Sequence, residues 1–523
     1  MTTILPPGVT QETFDAVLQA FRNIVGEEGV LISEDALKPH RDPYAFAADD
    51  AFIPSAAVLP DSVEQIRAIL RVANQYTVPL WVVSQGRNLG YGGGAPRVSG
   101  SVVVSLKRMK RIIEVNEECA YAVVEPGVTF MDLYAHLQAG GHKLVASVPD
   151  IGWGSVIGNA LEYGRGYTLH GDHAASHCGM EVVLPTGDLI RTGMGAMSNS
   201  KSWHVYPHSF GPSVDGLFMQ SNFGIVTKMG VSLMPTPECY MSVTLSVKRD
   251  ADLEPLIDIV RKLQLNRVIE NYPVLANAVT LAASFSTRDQ WYQGDGPLPE
   301  EVIEKISRQP GLGPWNMRFA LYGSEAVVDV QFAAAKAALS RIPDIHIEGR
   351  KYGGDTPHDK ILPMDQCQLG IPSLDILEAV KWRGEAGGHI GVSPVAPLIG
   401  REVRQQCDLL GSIMRQHGFD YVGGILITPR STLQIFEFTF DTLNESQVRA
   451  AQQGCKALLE AASKAGYGEY RSHLEHMDAV ARTYDFNDCA SMRLNMLLKD
   501  ALDPKGILSP GKQGIWPRAM RDQ

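Results

Sequence analysis

The chain lacks any run approaching the about 18 consecutive apolar residues that a membrane-spanning helix requires, so no such span is expected. Its opening stretch, MTTILPPGVTQE, has neither the basic start nor the apolar core of a secretion signal, which makes the cytoplasm the expected location. Cysteine is sparse: the seven thiols stand at 119, 178, 239, 367, 407, 455 and 489, without a C-x-x-C pair. That odd, scattered set fits reduced thiols and argues against a disulfide framework or a cysteine-based zinc site. A positive excess is missing too, since 47 Lys and Arg stand against 58 Asp and Glu for a formal charge of −11. Nothing is then available to displace the counterions of nucleic acid or of an anionic membrane, so neither is an expected partner. There is also no Walker lysine, no short-period repeat and no low-complexity tract. Small molecules remain the expected partners.

What is present is a chain of 523 residues, 45% hydrophobic and 20% charged, with 50 glycines. That length suggests two domains of globular type with many tight turns. Phe14, Val17, Leu18, Phe21, Ile24 and Val25 recur at helical spacing and predict an opening amphipathic helix. Residues 55–86 read strand, helix capped at Asp61-Ser62, strand, with Val63, Ile66, Ile69, Leu70 and Ala73 as the buried stripe. Strands follow at 101–106 and 121–127, then a helix from Phe130 and a hairpin turning at Pro185-Thr186-Gly187. The prolines of VSLMPTPECY (231–240) mark a boundary, and beyond it helix-like and strand-like segments alternate as in another α/β domain. Its clearest helices start at Glu325 and Glu445, and its clearest hairpin turns near Pro429-Arg430-Ser431. The turn-rich tail ALDPKGILSPGKQGIWP carries Ile507, Leu508, Ile515 and Trp516, which predicts that it packs back onto the body.

Five places could carry chemistry. PLWVVSQGRNLGYGGGAP places five glycines and Arg87 directly after a strand, where bare backbone N–H groups can cradle a phosphate. Pro96 and the strand-like SVVV leave no helix after it, so it is not a dinucleotide-binding turn of the Rossmann kind; a plain surface loop is the alternative. Asp150 precedes a small-residue cluster with Ser155, Gly158 and Asn159, although Pro149-Asp150-x-Gly is also ordinary turn composition. Tyr470 beside Arg471, with Tyr91 from the glycine loop, would suit a phenolate, because one cation lowers a nearby acid's pKa by about 1–3 units. Neighbours in a strand face opposite ways, so that pair shares a ligand only where the chain bends; an exposed Tyr-Arg pair at the end of a helix is the alternative. His389 sits among Gly387, Gly388 and Gly391, a bareness that suggests something flat lying close to the backbone; a satisfied half-buried strand histidine is the alternative. The rival from another class is HGDHAASH, whose His170, His173 and His177 would share a helical face and bind zinc in a metal-dependent hydrolase, although Gly171 disfavours that helix.

Taken in order, GRNLGYGGGAPRVSGSVV, VEPGVTF, GMEVVLPTGDLIRTGMGA, FGPSVDGLFMQSNFGIVTKMG, GGHIGVSP, GYGEYR and ALDPKGILSPGKQGIWP resemble the vanillyl-alcohol oxidase and 4-cresol dehydrogenase family of flavoproteins, most closely its bacterial eugenol oxidase and 4-alkylphenol oxidase branch. The resemblance implies an α+β fold: an FAD-binding domain in two parts (1–236 and 470–523) with an α/β cap domain (237–469) over the flavin. It implies FAD bonded covalently to His389 through its 8α carbon, Tyr421 being the residue by which the cresol-dehydrogenase branch would attach it. Gln85, Gly86, Arg87, Asn88, Leu89, Gly90, Ser155, Gly158, Asn159, Ile225, Val226 and Lys512 would hold the cofactor. Tyr91, Tyr470 and Arg471 would bind the phenolate, and Asp150 would stand near flavin N5. Tyr167, Ser393 and Gly424 would line the substrate pocket. The implied reaction is benzylic hydride loss from a para-substituted phenol, eugenol and vanillyl alcohol included, through a para-quinone methide to alcohol, alkene or aldehyde. Dioxygen would take the electrons and give hydrogen peroxide, with a cytochrome c-like acceptor as the alternative, and a homodimer or higher assembly is expected.

The chain departs from that pattern in the cap hairpin, where relatives usually carry Met-His-His and this sequence reads RSTLQ (430–434). Gly424 replaces a bulkier residue, and His170 replaces a tyrosine in YTLHGDH. These departures predict a wider or reshaped pocket for longer, lignin-derived 4-substituents.

Overall fold

The computed structural model describes residues 4–45 and 51–521; the first three residues of the opening stretch lie outside it. The first helix spans Gln11–Val25 and buries Phe14, Val17, Leu18, Phe21 and Val25. It packs with helix Val63–Tyr76, whose stripe of Ile66, Ile69, Leu70 and Ala73 lies in the same core. Ser62 is the N-cap of that second helix by position, but its side chain makes no capping bond; Gln65 instead accepts the Asp61 N–H at 2.9 Å. Beneath lie strands β1 (Val30–Leu31), β2 (Ala56–Val58), β3 (Leu80–Val83) and β4 (Val102–Ser105) in the order β1-β2-β4-β3, with β4 parallel to both β2 and β3. A second, antiparallel sheet orders β5 (Ile112–Asn116), β6 (Tyr121–Val124), β8 (His177–Val183), β9 (Leu189–Arg191) and β10 (Ile225–Ser232) as β5-β6-β10-β8-β9. The short β7 (Leu144–Val145) pairs with β11 (Met234–Pro235), and helix Phe130–Ala139 starts on a reciprocal Thr129–Asp132 cap.

Eight strands then form one sheet: β12 (Cys239–Ser246), β13 (Val274–Asn277), β14 (Trp315–Gly323), β15 (His346–Gly353), β16 (Gly387–Val392), β17 (Val395–Pro397), β18 (Gly423–Ile427) and β19 (Ser431–Asp441). Every pairing in it is antiparallel. The alternation of side chains gives its two faces different tasks. Ile425 and Ile427 join the core built with helices Leu253–Leu265, Glu325–Leu339 and Gly400–Gln416. Leu426 and Leu433 join the opposite core, which holds Tyr167 and Cys367 with Tyr470 packed against it. Gly424 and Arg318 belong to that second face, because Gly424 alternates in register with Leu426, and Val274, on the same face, pairs with both Leu426 and Arg318.

The tail packs back as its apolar residues predict. Leu80 N–H donates to Ile507 O and Ser509 N–H to Leu80 O, both at 2.7 Å, so the tail lies as a short partner of β3. Buried Lys499 fixes it, pairing with Asp503 at 2.7 Å and donating to the carbonyls of Asn222 (2.9 Å) and Leu508 (2.6 Å).

Candidate active site

The glycine loop after β3 opens onto a cleft whose empty space, its mouth included, is about 1320 Å3. Gln85, Gly86, Arg87, Asn88, Tyr91, Ser155, Gly158, Asn159, Ile225, Val226, Arg471 and Lys512 all line it. Leu89 and Gly90 do not. Gly86 and Gly90 have φ of +68° and +77°, the left-handed region that glycine enters without strain. Gln85 donates to Gly127 O at 2.5 Å, and Arg87 lies 4.7 Å over the Trp153 ring. Ser155 caps the turn that follows, accepting the Gly158 N–H at 2.9 Å while donating to Pro126 O at 2.6 Å. A Cβ at Gly158 would come within 2.3 Å of Ser84 Oγ, so the wall there is as close as backbone allows. Lys512 closes one side by pairing with Glu162 at 2.6 Å. No pattern in the sequence points to Ser84, Asn222 or Ser509, which share the lining.

At one end of the cleft the chain bends at Tyr470 and Arg471, and the bend lets both face Tyr91. The Arg471 guanidinium stands 4.3 Å over the Tyr91 ring, and its Nη2 donates to Asn88 Oδ1. Burial opposes the charge on Arg471, yet Tyr91 and Tyr470 hold its pKa above the ordinary value. Burial pushes the Tyr91 hydroxyl pKa up, with Tyr470 adding to it, so Tyr91 stays a neutral donor. Ser393 Oγ lies 3.3 Å from Tyr91 Oη.

Asp150 anchors a second cluster. Tyr167 Oη donates to one carboxylate oxygen; Arg318 Nη2 at 3.2 Å and Cys367 Sγ at 3.5 Å approach the other. Arg318 also lies 5.5 Å over the Tyr167 ring. Burial first, and Asp150 second, push both the Tyr167 hydroxyl and the Cys367 thiol up, which keeps them protonated as donors. Arg318 and Cys367 were not legible as site residues: they reach Asp150 across 168 and 217 positions of sequence.

His389 lies in β16 opposite Thr439. The glycines beside it have a different cause from the one their bareness suggests. A Cβ at Gly387 would meet Val380 O at 2.2 Å, and one at Gly388 would meet Thr442 Cγ2 at 2.8 Å and Tyr44 at 3.0 Å, so protein neighbours already fill that space. The glycine that His389 itself requires is Gly90, whose Cβ would sit 2.5 Å from the imidazole Cε1. Glu437 Oε1 is 3.5 Å from His389 Nδ1, yet no hydrogen bond forms, and Nδ1 is buried without a hydrogen-bond partner. Tyr421, by contrast, points away into the core: its hydroxyl donates to Cys407 Sγ at 3.3 Å and its ring stacks on Phe436 at 5.1 Å.

The three histidines of HGDHAASH share no helical face. His170 and His173 lie in a turn-rich loop and His177 begins β8. His173 bonds Asn159 Oδ1 at 2.6 Å, with burial depressing its pKa to about 3, and His177 lies 3.4 Å from Asp215. Among the described residues no group of three His, Cys, Asp or Glu side chains is disposed to hold a metal.

Comparison with known proteins decides the family. An FAD binding domain model matches residues 54–193, and a model of the C-terminal domain of FAD linked oxidases matches 401–513. The flavoprotein subunit of the hydroxylating 4-cresol dehydrogenase of Pseudomonas putida is 35% identical over 98% of both chains. The chain belongs to the 4-cresol dehydrogenase family of FAD-dependent oxidoreductases. Among solved members, the 4-ethylphenol oxidase of Gulosibacter chungangensis, in complex with isoeugenol, is 35% identical with a TM-score of 0.93, covering 99% of this chain and 100% of its own. p-Cresol methylhydroxylase with substrate bound is 34% identical with a TM-score of 0.92 over 98% and 99% of the two chains. The α+β architecture is therefore that of the 4-cresol dehydrogenase family.

The residues of this family member fit FAD. The cleft has backbone-bare walls at Gly86 and Gly158, a cation at Lys512, and beside the glycine loop a buried imidazole nitrogen that makes no hydrogen bond to the protein.

Proposed function

We propose that this oxidoreductase removes hydride from the benzylic position of para-substituted phenols: 4-alkyl and 4-allyl phenols and guaiacols of the eugenol kind, and 4-hydroxybenzyl alcohols of the vanillyl kind. The observation that carries the proposal is the half-buried Arg471 guanidinium facing Tyr91, with Tyr470 beside it. A cation at this depth lowers the pKa of a phenol placed against it, and the two tyrosine hydroxyls donate to the resulting oxyanion. Asp150, with Tyr167, Arg318 and Cys367 converging on it, would stand at the other end of the substrate and hold the proton or the water that decides between alkene and alcohol. FAD, when bound, supplies the hydride acceptor. We assign His389 as its covalent attachment point, supported by an Nδ1 that makes no hydrogen bond and by the engagement of the Tyr421 hydroxyl elsewhere.

One position favours substrates longer than cresol. A Cβ at Gly424 would meet nothing within 4 Å, and Gly424 belongs to the sheet face that carries Leu426 and Leu433 toward Tyr167. We propose dioxygen as electron acceptor with hydrogen peroxide as co-product. The equal identity to a dehydrogenase and to an oxidase supports a second reading, in which a cytochrome c-like protein takes the electrons. We further assign 1–236 and 470–523 to the cofactor-binding part and 237–469 to the cap, and we propose a cytoplasmic, at least dimeric enzyme. Seven unpaired thiols support the reducing compartment, and no described helix is long and apolar enough to cross a membrane. Oxygen uptake and peroxide release across 4-cresol, 4-ethylphenol, 4-propylguaiacol, eugenol and vanillyl alcohol test the proposal. Turnover of the longer guaiacols with stoichiometric peroxide is expected, whereas preference for 4-cresol would reject the enlarged pocket.

A further inference from the structure

One carboxyl at the phenol end of the cleft is left without a task. Glu469 Oε1 accepts the Ser393 N–H at 2.7 Å, and the Arg471 N–H bonds the same carboxyl. Oε2 is buried and has no hydrogen-bond partner. Around it two segments are stitched together: Pro394 and Glu469 form an antiparallel bridge, Val395 N–H donates to Gly468 O at 2.9 Å, and Tyr470 N–H to Ser393 O at 3.3 Å. Ser393 then reaches Tyr91. A single carboxyl thus ties the backbone that presents Tyr470 and Arg471 to the backbone that orients Tyr91.

We propose that Glu469 is a positioning residue for the phenol site, acting as a neutral carboxylic acid whose ionisation sets the alkaline limit of phenolate binding. The argument rests on the phenol-oxidising reading above. A carboxylate here would set a second negative charge beside the bound oxyanion, and the Arg471 guanidinium would not neutralise it, being turned to Asn88 and Tyr91. The groups facing Glu469 are Tyr91 from the glycine loop, Ser393 after β16, Cys455 from helix Glu445–Lys464, and Tyr484 after helix Met477–Thr483, whose hydroxyl donates to Glu469 O at 2.6 Å. Glu475 also faces Cys455. Burial pushes Tyr91, Cys455 and Tyr484 upward, so these three stay neutral at mildly alkaline pH. Burial also pushes Glu469 up, to about 8, against the pull of its two N–H bonds, so it is the one of the four that titrates there.

The test is the dissociation constant of 4-fluorophenol, which has no benzylic carbon and cannot turn over, measured calorimetrically on FAD-loaded wild type and Glu469→Gln between pH 7 and pH 9. The phenol's own ionisation is common to both proteins. The ratio of wild-type to variant Kd is expected to rise about tenfold over that range. A ratio that stays flat overturns the proposal while leaving the phenol reading intact, and absence of binding to wild type at any pH overturns the phenol reading itself. Should Glu469→Gln fail to fold, Glu469→Asp is measured instead. It withdraws the carboxyl from the two N–H groups, and a Kd within twofold of wild type at pH 7 overturns the positioning role.

Discussion

The Arg471 guanidinium stands 4.3 Å over the ring of Tyr91 and is held there by Asn88, so a residue 380 positions later in the chain caps the glycine loop. Arg471→Ala leaves that end of the cleft with no cation to meet an oxyanion. Loss of such a partner costs about 3–5 kcal/mol, or roughly a hundred- to a five-thousandfold in kcat/KM for 4-ethylphenol. Arg471→Lys restores a charge but not the fork that spans Asn88 and the ligand, and a tenfold or larger deficit should persist in steady-state assays.

His389→Ala is expected to separate cofactor binding from cofactor attachment. The variant should still take up FAD through the lining of the cleft, but acid precipitation should release all of it. Wild-type protein should keep its flavin through the same treatment, and a flavin peptide containing His389 should be recovered by mass spectrometry. A flavin peptide containing Tyr421 would contradict the assignment, since that hydroxyl is bonded to Cys407.

Gly424→Gln should fold without strain, because the position is not at positive φ and a Cβ there meets nothing within 4 Å. Replacing a strand glycine also removes unfolded-state entropy, so the melting temperature should hold or rise slightly. The cost should fall on long substrates: kcat/KM for 4-propylguaiacol is expected to drop roughly tenfold or more relative to 4-cresol, as the pocket loses room for the outer methylenes.

A stability prediction concerns Asp365, whose side chain is fully buried and accepts from Arg350 (2.9 and 3.0 Å), Ser242 (2.6 Å) and Tyr352 (2.7 Å). Burial disfavours its charge, but these bonds, led by Arg350, hold its pKa below the ordinary aspartate value. A depressed folded-state pKa adds stability that is complete above that ordinary value and fades as the pH falls through the folded one. Asp365→Asn should therefore cost about 3–5 kcal/mol in urea unfolding at pH 7, and the gap to wild type should narrow below pH 4.

The parts of this molecule that local physics governs were readable beforehand. The helical stripes of Phe14 to Val25 and Ile66 to Ala73, the hairpin at Pro185-Thr186-Gly187 and the docking of Ile507 and Leu508 follow from spacing and turn chemistry alone. Arg318 was out of reach, because WNMRFALYG shows only a strand, and period-two alternation cannot say that one face of that strand looks onto Asp150. Glu469 was hidden in plain view inside GYGEYR: the role proposed for it depends on a burial and a Ser393 contact 76 positions away that no spacing encodes. Gly387 and Gly388 show the reverse error, a bareness that invited a ligand and is filled by Val380, Tyr44 and Thr442.

Anaerobic mixing of the FAD-loaded enzyme with 4-ethylphenol and, separately, with 4-ethylanisole tests the central claim most directly. The two differ only in whether the para oxygen can lose a proton to the Arg471 site. Rapid flavin bleaching by the phenol, none by its methyl ether, and loss of the phenol response in Arg471→Ala are predicted; equal bleaching by both compounds would contradict the account.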